Sequence, residues 1–415
     1  SRYSLYYLSS AEYKILLELY VELLECWLED FTKNDPKDSD PDGSLNGSNN
    51  AQKTFDTVSH ESDKIEWKNT QTVVEDVEGN GLFFLCSADA AIRRLAIRIL
   101  QLTSKFDKAL LQKSSLYDKG HSRSSSRLVA QSGSRLIDML VSFDIPKLLE
   151  PEKQSLSVAE KSRLVKLTMK SKKNMLIRIC ESEYGIDAAL WQRIFPKLLT
   201  YIFEQSPVTM ALCRSIVCIR LVQLYDLILS ITNNVSDRFK DISPEAVVNQ
   251  WKLYLIVACS SLTSTNDQKL CIPATNAQHG RKKSQQIFTV QHQKIKSATS
   301  VFKIVLPLLN CDKTFIKSAI ITGLSAMNIN IYRAYIESID QFLTTWSLTS
   351  SNNGMRMEMV HILVILSPFL KDKQINSDEW ILEKLSHYLK EMKVFLELEE
   401  VQQSFQYQPL RQYFA

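Results

Sequence analysis

Two groups of side chains have the types and spacing to do chemistry. Arg163, Lys166, Lys170 and Lys173 recur at intervals of three, four and three, the spacing that lines one side of a helix. Lys161, Lys172 and Arg178 extend the patch, and Glu160 is the one acid beside it. Like charges at these spacings repel by a few tenths of a kcal/mol per pair, a cost that an acidic protein partner would relieve. A solvated face opposite Leu164, Leu167 and Ile177 fits the same pattern, as does contact with a phosphoinositide or nucleic acid. The second group is His279-Gly280-Arg281-Lys282-Lys283-Ser284, a hydroxyl preceded by cations. An extended loop of this kind suits the acid-lined cleft of a protein kinase, which selects such cations before the acceptor serine. A phosphate on Ser284 would change the loop's charge by about two units. His121-Ser122-Arg123-Ser124-Ser125-Ser126 is a weaker copy, with Ser126 as acceptor. An ordinary basic loop is the other reading of both.

Other chemistry finds no support. No G-x-S-x-G, H-E-x-x-H or kinase motif set occurs, and the closest glycine pairs, Gly43/Gly47 and Gly79/Gly81, extend to neither G-x-G-x-x-G nor G-x-x-x-x-G-K. The eight cysteines form no C-x-x-C, and most sit in apolar runs, so buried reduced thiols are expected rather than disulfides or zinc. His361 and His387 lie within helical patterns and read as ordinary helix residues. The expectation is a protein without catalytic activity, cofactor or metal. The net charge of +4, from 50 basic and 46 acidic residues, is too small to imply nucleic acid by bulk electrostatics. No signal peptide or transmembrane segment is expected: Leu212 to Ile231 is the most apolar stretch but contains Arg214, Arg220 and Asp226, as a buried helix would.

The elements that must position these residues are helices. Gly and Pro together supply 21 of 415 residues, well under the roughly 12 % of an average protein, which leaves little material for hairpins. Ser9-Ser10-Ala11-Glu12 and Ser157-Val158-Ala159-Glu160 are capping boxes, and Ser206-Pro207 and Ser243-Pro244 place a capping hydroxyl before a first-turn proline. The first of these predicts a helix to about Phe31 with Ile15, Leu16, Leu19, Tyr20, Leu23 and Trp27 on one face. Asn376-Ser377-Asp378-Glu379 opens a last long helix towards Glu399. Strand alternation is absent, so the fold class is all-α. Leu85, Asp89, Ile92-Arg93, Ala96 and Leu100 fit the second helix of a HEAT-like unit, in which Asp starts the helix and Arg reaches a neighbouring unit. Leu308 to Leu324 repeats this with one extra residue between Asp312 and Ile316. A HEAT/armadillo-like α-solenoid with disordered inserts is the expected architecture. Its blocks run 1–145, with polar inserts near 32–64 and 113–134, then 146–262, then 291–415 after a basic insert at 263–290. Trp27, Trp191, Trp251 and Trp380 read as core residues or as partner anchors.

Three segments carry a family resemblance. Val73 to Leu102 contains Val77-Glu78-Gly79, an apolar run ending Leu-Cys-Ser, and Ile-Arg-Arg-Leu-Ala at 92–96. Trp251-Lys252-Leu253-Tyr254-Leu255 continues apolar to Cys259, and Lys317 to Asn328 reads Ala-x-x-x-Gly-Leu-x-x-x-Asn from Ala319. In order and spacing these resemble the Furry family of cell-morphogenesis proteins. The acidic loop at 32–64 and the basic insert at 263–290 suggest a fungal member, and a start without Met suggests a piece of a longer chain.

The resemblance implies a large, non-catalytic helical scaffold. It implies work with an NDR-type protein kinase and its Mob coactivator in cell morphogenesis and polarised growth, in the cytoplasm at cortical sites, with microtubule or cortical proteins as further partners. NDR-type kinases favour a histidine five residues before the acceptor and basic residues three and two before it, which His279, Arg281 and Lys282 supply for Ser284. The competing reading is a HEAT-type transport or nucleic-acid-associated protein that uses the basic face at 161–178.

Overall fold

A computed structural model describes residues 10–33, 70, 72–117, 135–169, 174–234, 243–263, 295 and 297–415. The phosphoacceptor motifs around Ser126 and Ser284, including His279, Arg281 and Lys282, lie outside the described residues. The described part is all-α, with no strand among the described residues. Two compact units emerge, Ser1–Leu198 with Gln205–Cys213, and Leu199–Glu204 with Arg214–Ala415.

In the first unit the long helices are α1 (Ser10–Lys33), α2 (72–85) and α3 (Ala90–Tyr117). Shorter helices follow: α4 (Leu136–Val141), α5 (Ile145–Leu149), α6 (Val158–Thr168) and α7 (Met175–Glu181). Helix α8 (Gly185–Gln205) and α9 (Pro207–Thr232) come next in the chain. Asp89 starts α3 as expected, its carboxylate accepting the Ala91 N–H at 2.8 Å. Helix α3 is the centre of the unit, packing against α1, α4 and α7. Both halves of the capping box predicted at Ser157 form, with Glu160 accepting the Ser157 N–H at 2.7 Å and Ser157 accepting the Glu160 N–H at 3.2 Å.

Helix α1 begins where the sequence places it but turns a different side inward. Leu17, Val21 and Leu24 are buried, while Ile15, Leu19 and Leu23 are exposed. Both stripes are apolar, so periodicity alone does not choose between them. Packing of Trp27, Leu28 and Phe31 on Val74, Phe106 and Leu110 makes the choice, together with the 2.6 Å ion pair from Arg98 to Glu25.

The second unit stacks helices in two rows. One row is α10 (Pro244–Ser261), α12 (Thr314–Ser325), α14 (Asn353–Ile365) and α18 (Gln408–Phe414), each packed on the next. The other is α11 (Ala298–Val305), α13 (Tyr332–Leu343) and α16 (Glu379–Leu396). Between them lie the one-turn α15 (Lys373–Asn376), ahead of α16, and α17 (Glu399–Gln403), ahead of α18. Contact between every second helix of the chain is the arrangement by which paired helices build a continuous core. Asp378 caps α16 by accepting the Ile381 N–H at 3.3 Å. The second HEAT-like match keeps its inward side chains, Ile316, Ala319, Ile320 and Leu324 all being buried. Its Asp312 does not cap, because the extra residue makes Lys313 the first flanking position of α12.

By length and composition α9 is apolar enough to cross a membrane. Met210, Cys213, Val217, Leu221 and Ile228 along it are buried in protein, and Arg214 donates to the Ser261 carbonyl at 2.6 Å. It has the features of a core helix.

Candidate functional site

Of the basic face predicted over 163–173, Arg163 and Lys166 lie among the described residues. Helix α6 ends at Thr168, and Met169 takes an extended backbone, so Arg163 and Lys166 share a helix that does not continue. Lys170 and Lys173 lie outside the described residues. Arg163 is committed inside the protein. Its Nε and a terminal nitrogen each donate to a carboxylate oxygen of Asp187 at 2.7 Å, and its guanidinium lies 5.3 Å from the centre of the Tyr184 ring. Asp187 is 0 % exposed. Burial alone would raise its carboxyl, but hydrogen bonds from Arg163 and Ser182 and the charges of Arg163 and Arg178 outweigh this and hold it below the usual range. Arg178 donates to the Leu167 carbonyl at 3.0 Å, close to the last turn of α6. Lys161 and Lys166 stay exposed.

Glu160, the acid beside the patch, is also structural: it accepts from Arg193 at 2.9 Å, and Lys197 reaches Glu152 at 2.8 Å. Sequence reading missed Asp187 because it lies on a different helix, 24 residues away. Its one local signal was an acidic residue in the first turn of α8.

The segments with the family resemblance turn out to meet one another or the helices that flank them. Gly79 and Gly81 lie on α2. A Cβ at Gly79 would sit 2.7 Å from Leu212 Cβ, and one at Gly81 would sit 2.7 Å from Leu100 Cδ2. One at Gly323 would sit 2.5 Å from both Leu255 Cδ2 and Cγ. Leu255 belongs to the Trp-x-x-Tyr-Leu segment, so two of the resemblance segments touch here. Asn328 completes that junction. Its side-chain nitrogen donates to the carbonyls of Cys259 at 3.2 Å and Leu262 at 2.5 Å, closing the end of α10. Each of these three glycines marks a close helix contact.

Glu78 and Arg93 supply the polar counterpart. Glu78 is buried and accepts the Leu136 N–H that starts α4 at 2.9 Å and the Thr209 hydroxyl at 2.8 Å. Arg135 lies 3.8 Å from Glu78 and pairs with Asp107 at 2.7 Å. Arg93, 2 % exposed, reaches across from α3 to α7. It donates to the Cys180 carbonyl of α7 at 2.9 Å and to the carbonyls of Ser87 and Ala88 at 2.9 and 2.7 Å.

The remaining candidates are packing residues to different degrees. Trp191 and Trp251 are buried, Trp27 packs on Phe106 with ring centres 4.2 Å apart, and half-buried Trp380 lies under Arg333 at 4.7 Å. His361 stacks on Tyr413. Cys86, Cys180, Cys213, Cys218 and Cys259 are buried, and burial pushes the Cys180 thiol up to about 12. Among the described residues no group of three His, Cys, Asp or Glu could hold a metal ion.

No family model matches the chain, and no solved structure matches it. Among curated proteins, it is 58 % identical over 416 residues to the cell morphogenesis protein PAG1 of Saccharomyces cerevisiae, covering 100 % of this chain and 18 % of that one. It is 27 % identical over 432 residues to the cell polarity protein mor2 of Schizosaccharomyces pombe, covering 96 % of this chain and 19 % of that one. The chain thus spans just under a fifth of the length of these relatives. With the glycine and tryptophan segments meeting in the fold and this similarity running from end to end, the chain belongs to the Furry family, of which both fungal relatives are members.

Proposed function

We propose that this chain is part of a non-catalytic helical scaffold, built of HEAT-like repeats, that acts in cell morphogenesis and polarised growth. In this reading the scaffold holds an NDR-type protein kinase and its Mob coactivator at cytoplasmic sites beneath the cortex. The observation that carries it is the similarity along the whole chain to one protein named for cell morphogenesis and another named for cell polarity. Stacked helix rows support a scaffolding role, because they present extended surfaces over which many weak contacts can be distributed. Lys161 and Lys166 are the exposed remnant of the basic face available to an acidic partner. The nucleic-acid reading loses its leading cation, since Arg163 is already neutralised by Asp187.

The test is affinity capture of the full-length protein from growing cells, with identification of what it retains. Kinase and Mob are expected together, and recovery of neither would refute the reading. Charge reversal belongs at Lys161 and Lys166, not at Arg163, where it would break an internal ion pair. Ser284, and secondarily Ser126, are the proposed acceptors for the bound kinase. Phosphopeptide mapping with and without kinase activity should show Ser284 modified only when the kinase is active.

A further inference from the structure

The outward side of α1 is an apolar stripe with an acidic edge. Ile15, Leu19 and Leu23 succeed one another at four-residue steps and are 64 %, 48 % and 60 % exposed. Exposed Cys26 continues the line. Glu18, Glu22 and Glu29 follow one edge of the stripe at helical spacing, and Asp30 lies at its end. From Lys14 to Lys33 the helix carries five carboxylates against two lysines, which lie 3.9 Å from Glu18 and 3.3 Å from Glu29, inside a chain whose net charge is +4. The opposite side of α1 is committed: Leu17, Val21 and Leu24 are buried, and Glu25 pairs with Arg98.

We infer that this face is a docking site for a basic amphipathic helix of a partner protein, the helix's apolar residues lying on Ile15, Leu19 and Leu23 and its lysines or arginines along the glutamate edge. Three properties select that occupant. The helix stays net acidic after the exposed Lys14–Glu18 and Lys33–Glu29 pairs, with Glu22 between them, so a cationic edge gains where an anionic one is repelled. The area is small: three exposed aliphatic side chains offer a few hundred Å², short of the roughly 1,200 Å² that a stable dimer buries, yet matched to one face of a single helix. A second copy aligned α1 to α1 would also bring acid edge to acid edge. The polar stretch after α1 is excluded by the same charge, since Asp35, Asp38, Asp40 and Asp42 follow the helix directly in sequence.

The experiment measures fluorescence anisotropy of labelled peptides titrated with the full chain at physiological salt. The probes are an amphipathic leucine/lysine peptide of about 20 residues, long enough to form a helix on binding, and its leucine/glutamate counterpart. The lysine peptide should bind and the glutamate peptide should not. Ile15→Asp, Leu19→Asp and Leu23→Asp together should weaken binding at least about tenfold, with an unchanged circular dichroism spectrum because all three positions are exposed. Glu18→Lys with Glu22→Lys should reverse the preference between the two peptides. Equal affinity for both peptides would overturn the inference, as would lysine-peptide binding that the triple substitution leaves intact. So would a concentration-dependent doubling of mass in sedimentation that Leu19→Asp abolishes, which would assign the face to a second copy.

Discussion

Gly323→Ala isolates what the α10–α12 junction requires. In an open helix the change stabilises by about 1 kcal/mol, because alanine loses less backbone freedom. Here the added methyl would lie 2.5 Å from Leu255 Cδ2 and Cγ and 3.0 Å from its Cβ. The Cδ2 methyl and Cγ could move by changing rotamer, but Cβ is fixed by the backbone of α10, and Leu255 is fully buried, which leaves little room for another rotamer. Overpacking of this kind costs about 1–3 kcal/mol, so the net change should be a loss of up to about 2 kcal/mol in place of the gain seen in an open helix. Leu255→Ala alone should cost about 2–5 kcal/mol through the cavity it leaves. The two substitutions together should cost less than their sum by about 1–3 kcal/mol, because the new methyl occupies part of that space. Hydrogen exchange read by mass spectrometry on α10 and α12 measures this locally, a loss of about 1.4 kcal/mol appearing as roughly tenfold faster exchange. Slower exchange in Gly323→Ala, with additive behaviour in the double variant, would refute the close-contact reasoning.

Other expectations follow from the same contacts. Gly79→Ala should destabilise α2 in the same assay, since its methyl would meet the Cβ of Leu212, which no rotamer change can move. Arg93→Met should cost about 2–4 kcal/mol by removing the donor that serves the carbonyls of Ser87, Ala88 and Cys180, read as a lower urea midpoint for the first unit. The depressed carboxyl of Asp187 contributes stability that is complete above its unfolded value near pH 4 and is lost as pH falls through its lower folded value. Asp187→Asn should therefore flatten the acid limb of the stability profile while destabilising the chain at neutral pH. Alkylation followed by peptide mapping should modify Cys26 in the native chain and spare Cys86, Cys180, Cys213, Cys218 and Cys259 until unfolding.

The helical content, the caps at Ser157, Ser243 and Asp378, and the contact glycines were legible because each depends on short-range chemistry. A capping hydroxyl is three residues from the N–H it serves, and a glycine inside a helical pattern advertises its own cost. Arg93 was legible too, since a charged residue within an apolar stripe must find buried acceptors somewhere. The pairing of Arg163 was not legible. A run of cations at helical spacing shows where side chains could align, but it shows neither that the helix stops at Thr168 nor that Asp187 waits 24 residues on.

Residue order alone thus determined the class of fold, the starts of its helices and the positions where backbones approach closely. Tertiary structure decided which apolar stripe of α1 faces inward and that Arg163 is paired with Asp187 while Lys161 and Lys166 stay exposed. The physical reason is the same in both cases. Helix α1 is apolar on two sides and α6 is cationic along its length, so local periodicity leaves two near-equal choices. Only contacts from distant residues separate them, Phe106 and Arg98 against α1 and Asp187 against α6.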